Sequence, residues 1–139
     1  CFPNDRNYDE IIILDNVPYT SMCAHHLLCF SGRAWFAYLP DKLLVGASKV
    51  ARLIEHFSKK PQIQETLGQE IMDYFVQRVE PKGAILVMRG VHGCMSCRGV
   101  KTGDSAGMIT SKIYGTFKTS DAAREEVMQL INLSLHDKR

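Results

Sequence analysis

The spacing of apolar residues changes several times along the chain, and each change marks an element. Glu10 to Val17 (EIIILDNV) and Leu27 to Leu39 (LLCFSGRAWFAYL) are rich in β-branched and aromatic residues. Both runs are too short or irregular for an amphipathic helix, and Pro18 and Pro40 close them, which predicts two strands. From Ser48 the period becomes helical, with Val50, Leu53, Ile54 and Phe57 on one face, Ser48 as N-cap and Pro61 as the stop. A second helical face follows at Ile63, Leu67, Ile71, Phe75 and Val79, ended by Pro81 and Gly83. Ala84 to Val91 (AILVMRGV) and Met108 to Lys118 (MITSKIYGTFK) return to strand character. Val127, Leu130 and Ile131 then mark a last helix that begins near Ser120 or Asp121. The order is ββααββα, an α+β pattern without repeats or linkers. Consecutive strands on short connections predict an antiparallel sheet with helices on one face.

Composition narrows the functional classes. With 139 residues, 45% of them hydrophobic and 23% charged, the chain reads as one domain over residues 1–139. No apolar run approaches the roughly 20 residues that span a bilayer, and CFPNDRNYDE lacks the layout of a signal peptide, so no membrane partner and a cytoplasmic location are expected. A net charge of +2 is too small for general nucleic-acid binding, although a local basic cluster can still meet an anion. Five cysteines without a secretion signal point to metal or catalytic thiols rather than a disulfide framework.

The candidate chemistry lies at two strand ends. Cys23 and His26 precede the second strand, His92 and Cys94 follow the third, and sheet pairing can bring them together. Cys23, His26 and Cys94 suit zinc with a fourth position open for water, as in catalytic sites. Cys97 completes a Cys3His set, however, which is what a closed structural zinc uses, and spacing alone does not decide between the two. His25 and His92 each sit beside a proposed ligand; a structural metal needs neither, whereas hydrolysis needs proton donors in reach. Lys49 and Arg52 lie one turn apart at the start of the first helix, where an anion is favoured, and Arg98 follows Cys94. Gln64 and Glu65 open the second helix.

The set CAHH, GASKVAR, PQIQE, VHGCMSCRGV and ITSKIYGTF, in this order between about Tyr8 and Leu130, resembles the type I GTP cyclohydrolase family. The resemblance implies the tunnelling fold, whose ββααββ subunits close into a pentameric β-barrel, two of which stack as a homodecamer with sites at subunit boundaries. It implies Zn2+ on Cys23, His26 and Cys94, with His25 and His92 catalytic. In the implied reaction, zinc-activated water attacks C8 of the guanine of GTP, the ring opens, formate leaves, and closure gives 7,8-dihydroneopterin triphosphate, the first step towards folates and pterins. His92 would protonate the N7 side, and His25 would move protons at the ribose ring oxygen. Ser48, Lys49, Arg52 and Arg98 would hold the triphosphate. Gln64 and Glu65 would read the guanine, coming from a different side or subunit than the metal ligands. Three positions depart from the family pattern: Ala24 replaces a usual Glu, Cys97 a bulky apolar residue, and Cys29 a proline. The family's N-terminal helical segment has no counterpart in this sequence. Rival readings are a relative acting on another purine or pterin, and a non-catalytic module with a structural Cys3His zinc.

Overall fold

The computed structural model describes residues 1–96 and 106–136. Its elements begin with strands Phe2–Pro3 (β1), Ile12–Cys23 (β2), Cys29–Leu39 (β3) and Leu43–Leu44 (β4). Helix Ala47–Ser58 (α1), strand Pro61–Gln62 (β5), helix Gln64–Val79 (α2) and strand Gly83–His92 (β6) follow. A single turn, Gly93–Ser96 (α3), precedes strand Met108–Gly115 (β7), the short Thr116–Thr119 (α4) and helix Asp121–His136 (α5). The main sheet has the order β5-β2-β3-β6-β7, and β1 pairs with β4 separately. The β2–β3, β3–β6 and β6–β7 pairs are antiparallel as expected, while β5 adds a short parallel pair to the end of β2 that the sequence pattern did not signal.

The first strand runs six residues beyond its expected end at Val17, through Pro18. β2 lies along the sheet margin, where, among the described residues, only Met22 and Cys23 have a partner on the far side, and a marginal strand accommodates a residue with no N–H to give. A register shift between Leu14 and Val17, with Asn16 at φ 55°, bends this strand.

Alternation along β3 and β6 separates two cores. Phe30, Ala34, Phe36 and Tyr38 of β3 and Ala84, Leu86 and Met88 of β6 face α1 and α2, which contribute Val50, Ile54, Leu67, Ile71, Phe75 and Val79. The intervening Trp35, Ala37 and Ile85 face the other way and pack with Phe117, Val127 and Ile131. The expectation of helices on one face is therefore corrected: α5 covers the opposite face. Sheet residues hydrophobic on both sides require cover on both, and the Trp35 indole, which donates to Ser134 Oγ at 3.1 Å, anchors α5 there.

The helix N-cap expectation also changes. Gly46, not Ser48, caps α1, without a side-chain hydrogen bond, so the first-turn N–H groups keep no side-chain partner. No helix among the described residues is long and apolar enough to cross a membrane.

Leu67 has no exposed surface and sits one turn into α2 on the inner face. Leu67→Ala is expected to lower unfolding free energy by about 2–5 kcal/mol in chemical denaturation at fixed chain concentration. A loss below about 1 kcal/mol would mean that this helix is not held by the core assigned to it.

Candidate metal centre

Two local structures converge at one end of the main sheet. β2 ends at Cys23 and turns tightly into β3: Leu27 N–H donates to Cys23 O (2.8 Å), Cys23 N–H donates to Leu28 O (2.8 Å), and Leu27 takes φ 54°. Ala24 N–H donates to Gln62 O at 3.1 Å, tying the turn to β5. Beneath it, Ser21 Oγ donates to Ser58 O (2.8 Å) and Gln62 Nε2 donates to Ser21 Oγ (3.1 Å), so the end of α1 also supports the turn.

The second structure arrives through the β3–β6 ladder. Phe30 pairs with His92, and Cys94 follows in α3. The pairing closes a separation of some seventy residues: one ligand atom from each of Cys23, His26 and Cys94 lies within 4.8 Å of the others. Cys23 is buried, Cys94 half-buried and His26 exposed, so the group opens to solvent on one side. Two thiol sulfurs and one imidazole fit a borderline metal such as zinc, and they are three of the four ligands that a tetrahedral site needs. His25 is not part of this group; its ring centroid stands 6.3 Å from that of His26, with the planes at 80°.

His92 is held by two contacts. Its ring stacks on Phe30 at 4.6 Å with an interplanar angle of 2°. Its Nε2 lies 2.8 Å from Gln64 Oε1, and burial pushes its pKa down, an effect that the nearby Glu65 carboxylate opposes. Gln64 is wholly buried, and its Nε2 donates to Met88 O (3.2 Å), Met108 O (3.1 Å) and Thr110 Oγ1 (3.0 Å). This corrects the expectation that the Gln64–Glu65 pair comes from a different side or subunit than the metal ligands. Gln64 bonds His92, two residues from Cys94, within the same chain. Glu65 is exposed at the first turn of α2, and no ion pair among the described residues engages it.

The basic residues lie elsewhere. Ser48, Lys49 and Arg52 are exposed on the first turns of α1, and Lys49 and Arg52 line a cavity of about 690 Å³ with His56, Tyr74 and Arg78. The helix begins beside Val45, whose N–H donates to the Tyr38 hydroxyl, at the far end of β3 from Phe30. It ends at Ser58 beneath the metal turn, so its start is one helix length, about 18 Å, away. One chain therefore does not bring these residues to the metal group. Arg98 and Cys97 lie outside the described residues.

Sequence reasoning passed over Phe30, the stacking partner of His92, and Tyr19, whose buried hydroxyl has no hydrogen-bond partner among the described residues and whose pKa burial raises against the opposing pull of Arg89. The available signal was alternation: Tyr19, Gly32 and Gly90 are partners in successive strands, and a glycine beside a strand end marks a close approach. A Cβ on Gly90 would come within 2.5 Å of Gln64 Oε1 and 2.6 Å of the Tyr19 hydroxyl.

The family model for GTP cyclohydrolase I matches residues 2–132. Curated proteins named GTP cyclohydrolase 1 are similar over most of the chain. That of Sulfurihydrogenibium sp. is 44% identical over 131 residues, covering 94% of this chain and 70% of the relative. That of Caldanaerobacter subterraneus subsp. tengcongensis is 48% identical over 129 residues, covering 92% and 68%. That of Rhodopirellula baltica is 40% identical over 127 residues, covering 91% of this chain and 55% of the relative. The chain thus spans between about half and about seven tenths of the length of these relatives. Among solved structures, the apo form of the archaeosine synthase QueF-Like superposes with a TM-score of 0.57 at 11% identity, covering 76% of this chain and 93% of that one, a likeness of fold alone.

The grouping makes opposite demands on the two adjacent histidines. His26→Ala is expected to lose most of the bound metal, whereas His25→Ala keeps the wild-type content, read by elemental analysis of dialysed protein. Metal loss in His25→Ala with normal content in His26→Ala would reverse the ligand assignment.

Proposed function

The chain belongs to the GTP cyclohydrolase I family, and we propose that it opens the guanine ring of GTP at a zinc site on Cys23, His26 and Cys94, releasing formate and forming 7,8-dihydroneopterin triphosphate. The observation that carries this reading is the placement of His92, buried and oriented by Phe30 and Gln64, beside three side chains that could hold a metal. Zinc, when bound, supplies the Lewis acidity that makes water nucleophilic near neutral pH.

The chain's own residues supply the rest. Glu65, exposed at the start of α2 and near enough to His92 to act on its charge, accepts hydrogen bonds from the guanine N1–H and 2-amino group. His92 delivers a proton on the N7 side of the opening ring. His25, beside the metal group but outside it, handles protons at the ribose ring oxygen. Burial of His92 and its stack on Phe30 limit water at that edge of the substrate.

The triphosphate is held by Ser48, Lys49, Arg52 and Arg98. The uncapped start of α1 adds N–H donors and the positive end of a helix dipole. With Lys49 and Arg52 a helix length from the metal group, the site is complete only where another copy brings its α1 start to this one. Among the described residues, β7 and most of β2 have no strand partner on their outer sides, which supports the reading that copies pair edge to edge in a closed barrel. A pentamer or a stacked decamer satisfies both requirements.

Incubation with GTP is expected to release formate and a product that becomes fluorescent on oxidation; neither appearing with metal-loaded protein would end the proposal. Lys49→Ala should weaken GTP binding by about one to two decades without changing metal content, since a charge-assisted hydrogen bond contributes roughly 1.5–3 kcal/mol. Mixing His92→Ala and Lys49→Ala chains, dissociated and reassembled together, should restore part of the activity that each lacks at low GTP concentration. Failure of every mixture to recover would place both residues in one chain's site and overturn the shared-site reading.

A further inference from the structure

The Gln64 amide occupies a position that its neighbours leave no freedom to invert. Met88 O and Met108 O only accept hydrogen bonds, so the NH2 group of Gln64 must face them, with Thr110 Oγ1 as a third partner. The amide oxygen then points at His92 Nε2, at 2.8 Å, and an oxygen that only accepts requires a protonated nitrogen opposite it. The space for this contact is built into the sheet, since any side chain on Gly90 would strike the same oxygen. Phe30 fixes the plane of the ring, and Gln64 fixes which nitrogen carries the hydrogen.

We propose that Gln64 is a positioning residue that holds His92 as the Nε2–H tautomer and so makes Nδ1 the nitrogen that exchanges protons with the bound purine. Its side chain, with no exposed surface, does not read the guanine itself; that task falls to Glu65. The role of Nδ1 rests on the cyclohydrolase reading, whereas the tautomer stands on the hydrogen-bond network alone.

Two measurements separate these levels. The first is the 15N spectrum of histidine-labelled protein above neutrality, with His92 assigned by its loss in His92→Ala. It should show a protonated Nε2 and an unprotonated Nδ1, a preference that Gln64→Met removes. A protonated Nδ1 in the wild type would overturn the proposal, whether or not the protein turns over GTP. The second is steady-state kinetics: Gln64→Met should lower kcat about 100-fold, within the range for a proton-transfer group, with metal content, KM for GTP and preference for GTP over inosine triphosphate unchanged. A raised KM and a lost preference at unchanged kcat would make Gln64 a guanine reader and overturn the proposal. Should Gln64→Met fail to fold, Gly90→Ala displaces the same oxygen from the opposite side, and a folded Gly90→Ala protein with wild-type kcat would equally overturn it. Absence of GTP turnover in the wild type would sink the cyclohydrolase reading, and the spectrum would still decide the role of Gln64.

Discussion

The pairing of Phe30 with His92 in the β3–β6 ladder carries the site, because it sets opposite each other two turns that are far apart in sequence. A strand has a side-chain period of two, so a slip of one residue would turn His92 to the opposite face and send Phe30 out of the core. Such a slip is strongly opposed. Phe30, Ala34, Phe36, Ala84 and Leu86, the residues that hold this register on the inner face, are at most 1% exposed. Trp35, Ala37 and Ile85 hold it from the other face against α5. The approach of the candidate ligands thus depends first on hydrophobic burial on both sides of two central strands, with the hydrogen bonds of the Cys23 turn adding local shape.

Polar groups were buried to refine what the register provides. Ser21, Ser58 and Gln62 are hydrogen-bonded beneath the Cys23 turn, with Gln62 Oε1 left without a partner among the described residues, and Gln64 joins the start of α2 to the ends of β6 and β7. Buried polar side chains cost stability unless their partners are in place, and a network of this kind rigidifies where it is satisfied. One network ties to the Cys23 turn through Gln62 and the other to His92 through Gln64, so both bear on the candidate metal group. The two buried glutamines therefore tie these elements together, while their neighbour Glu65 is exposed.

The parts of the architecture with local signals were legible in the sequence. α2 announces itself through Leu67, Ile71, Phe75 and Val79, each of which is buried, and the central strands through their apolar runs. The grouping of Cys23, His26 and Cys94 followed from ligand chemistry and strand order. What local pattern does not encode is direction and distance. Gln64 and Glu65 are neighbours with similar side chains, and only the packing of α2 decides that one points inward and the other outward. Pro18 is a breaker in a central strand and harmless at a margin, a fact that depends on strand order. Likewise, the basic residues of α1 gave no sign that they would lie a helix length from the metal group, because that distance is set by how the helix crosses the sheet. Ser48 showed the composition of a cap, yet the chain enters α1 through Gly46.

The central claim is that the metal group is an open, three-ligand site rather than a closed one. X-ray absorption at the zinc edge of the loaded, substrate-free protein tests it directly. The account predicts two sulfur neighbours at about 2.3 Å and two lighter neighbours at about 2.0–2.1 Å, of which only one is an imidazole. Three sulfurs and one imidazole, with the third sulfur lost on Cys97→Ser, would contradict it and make the site structural.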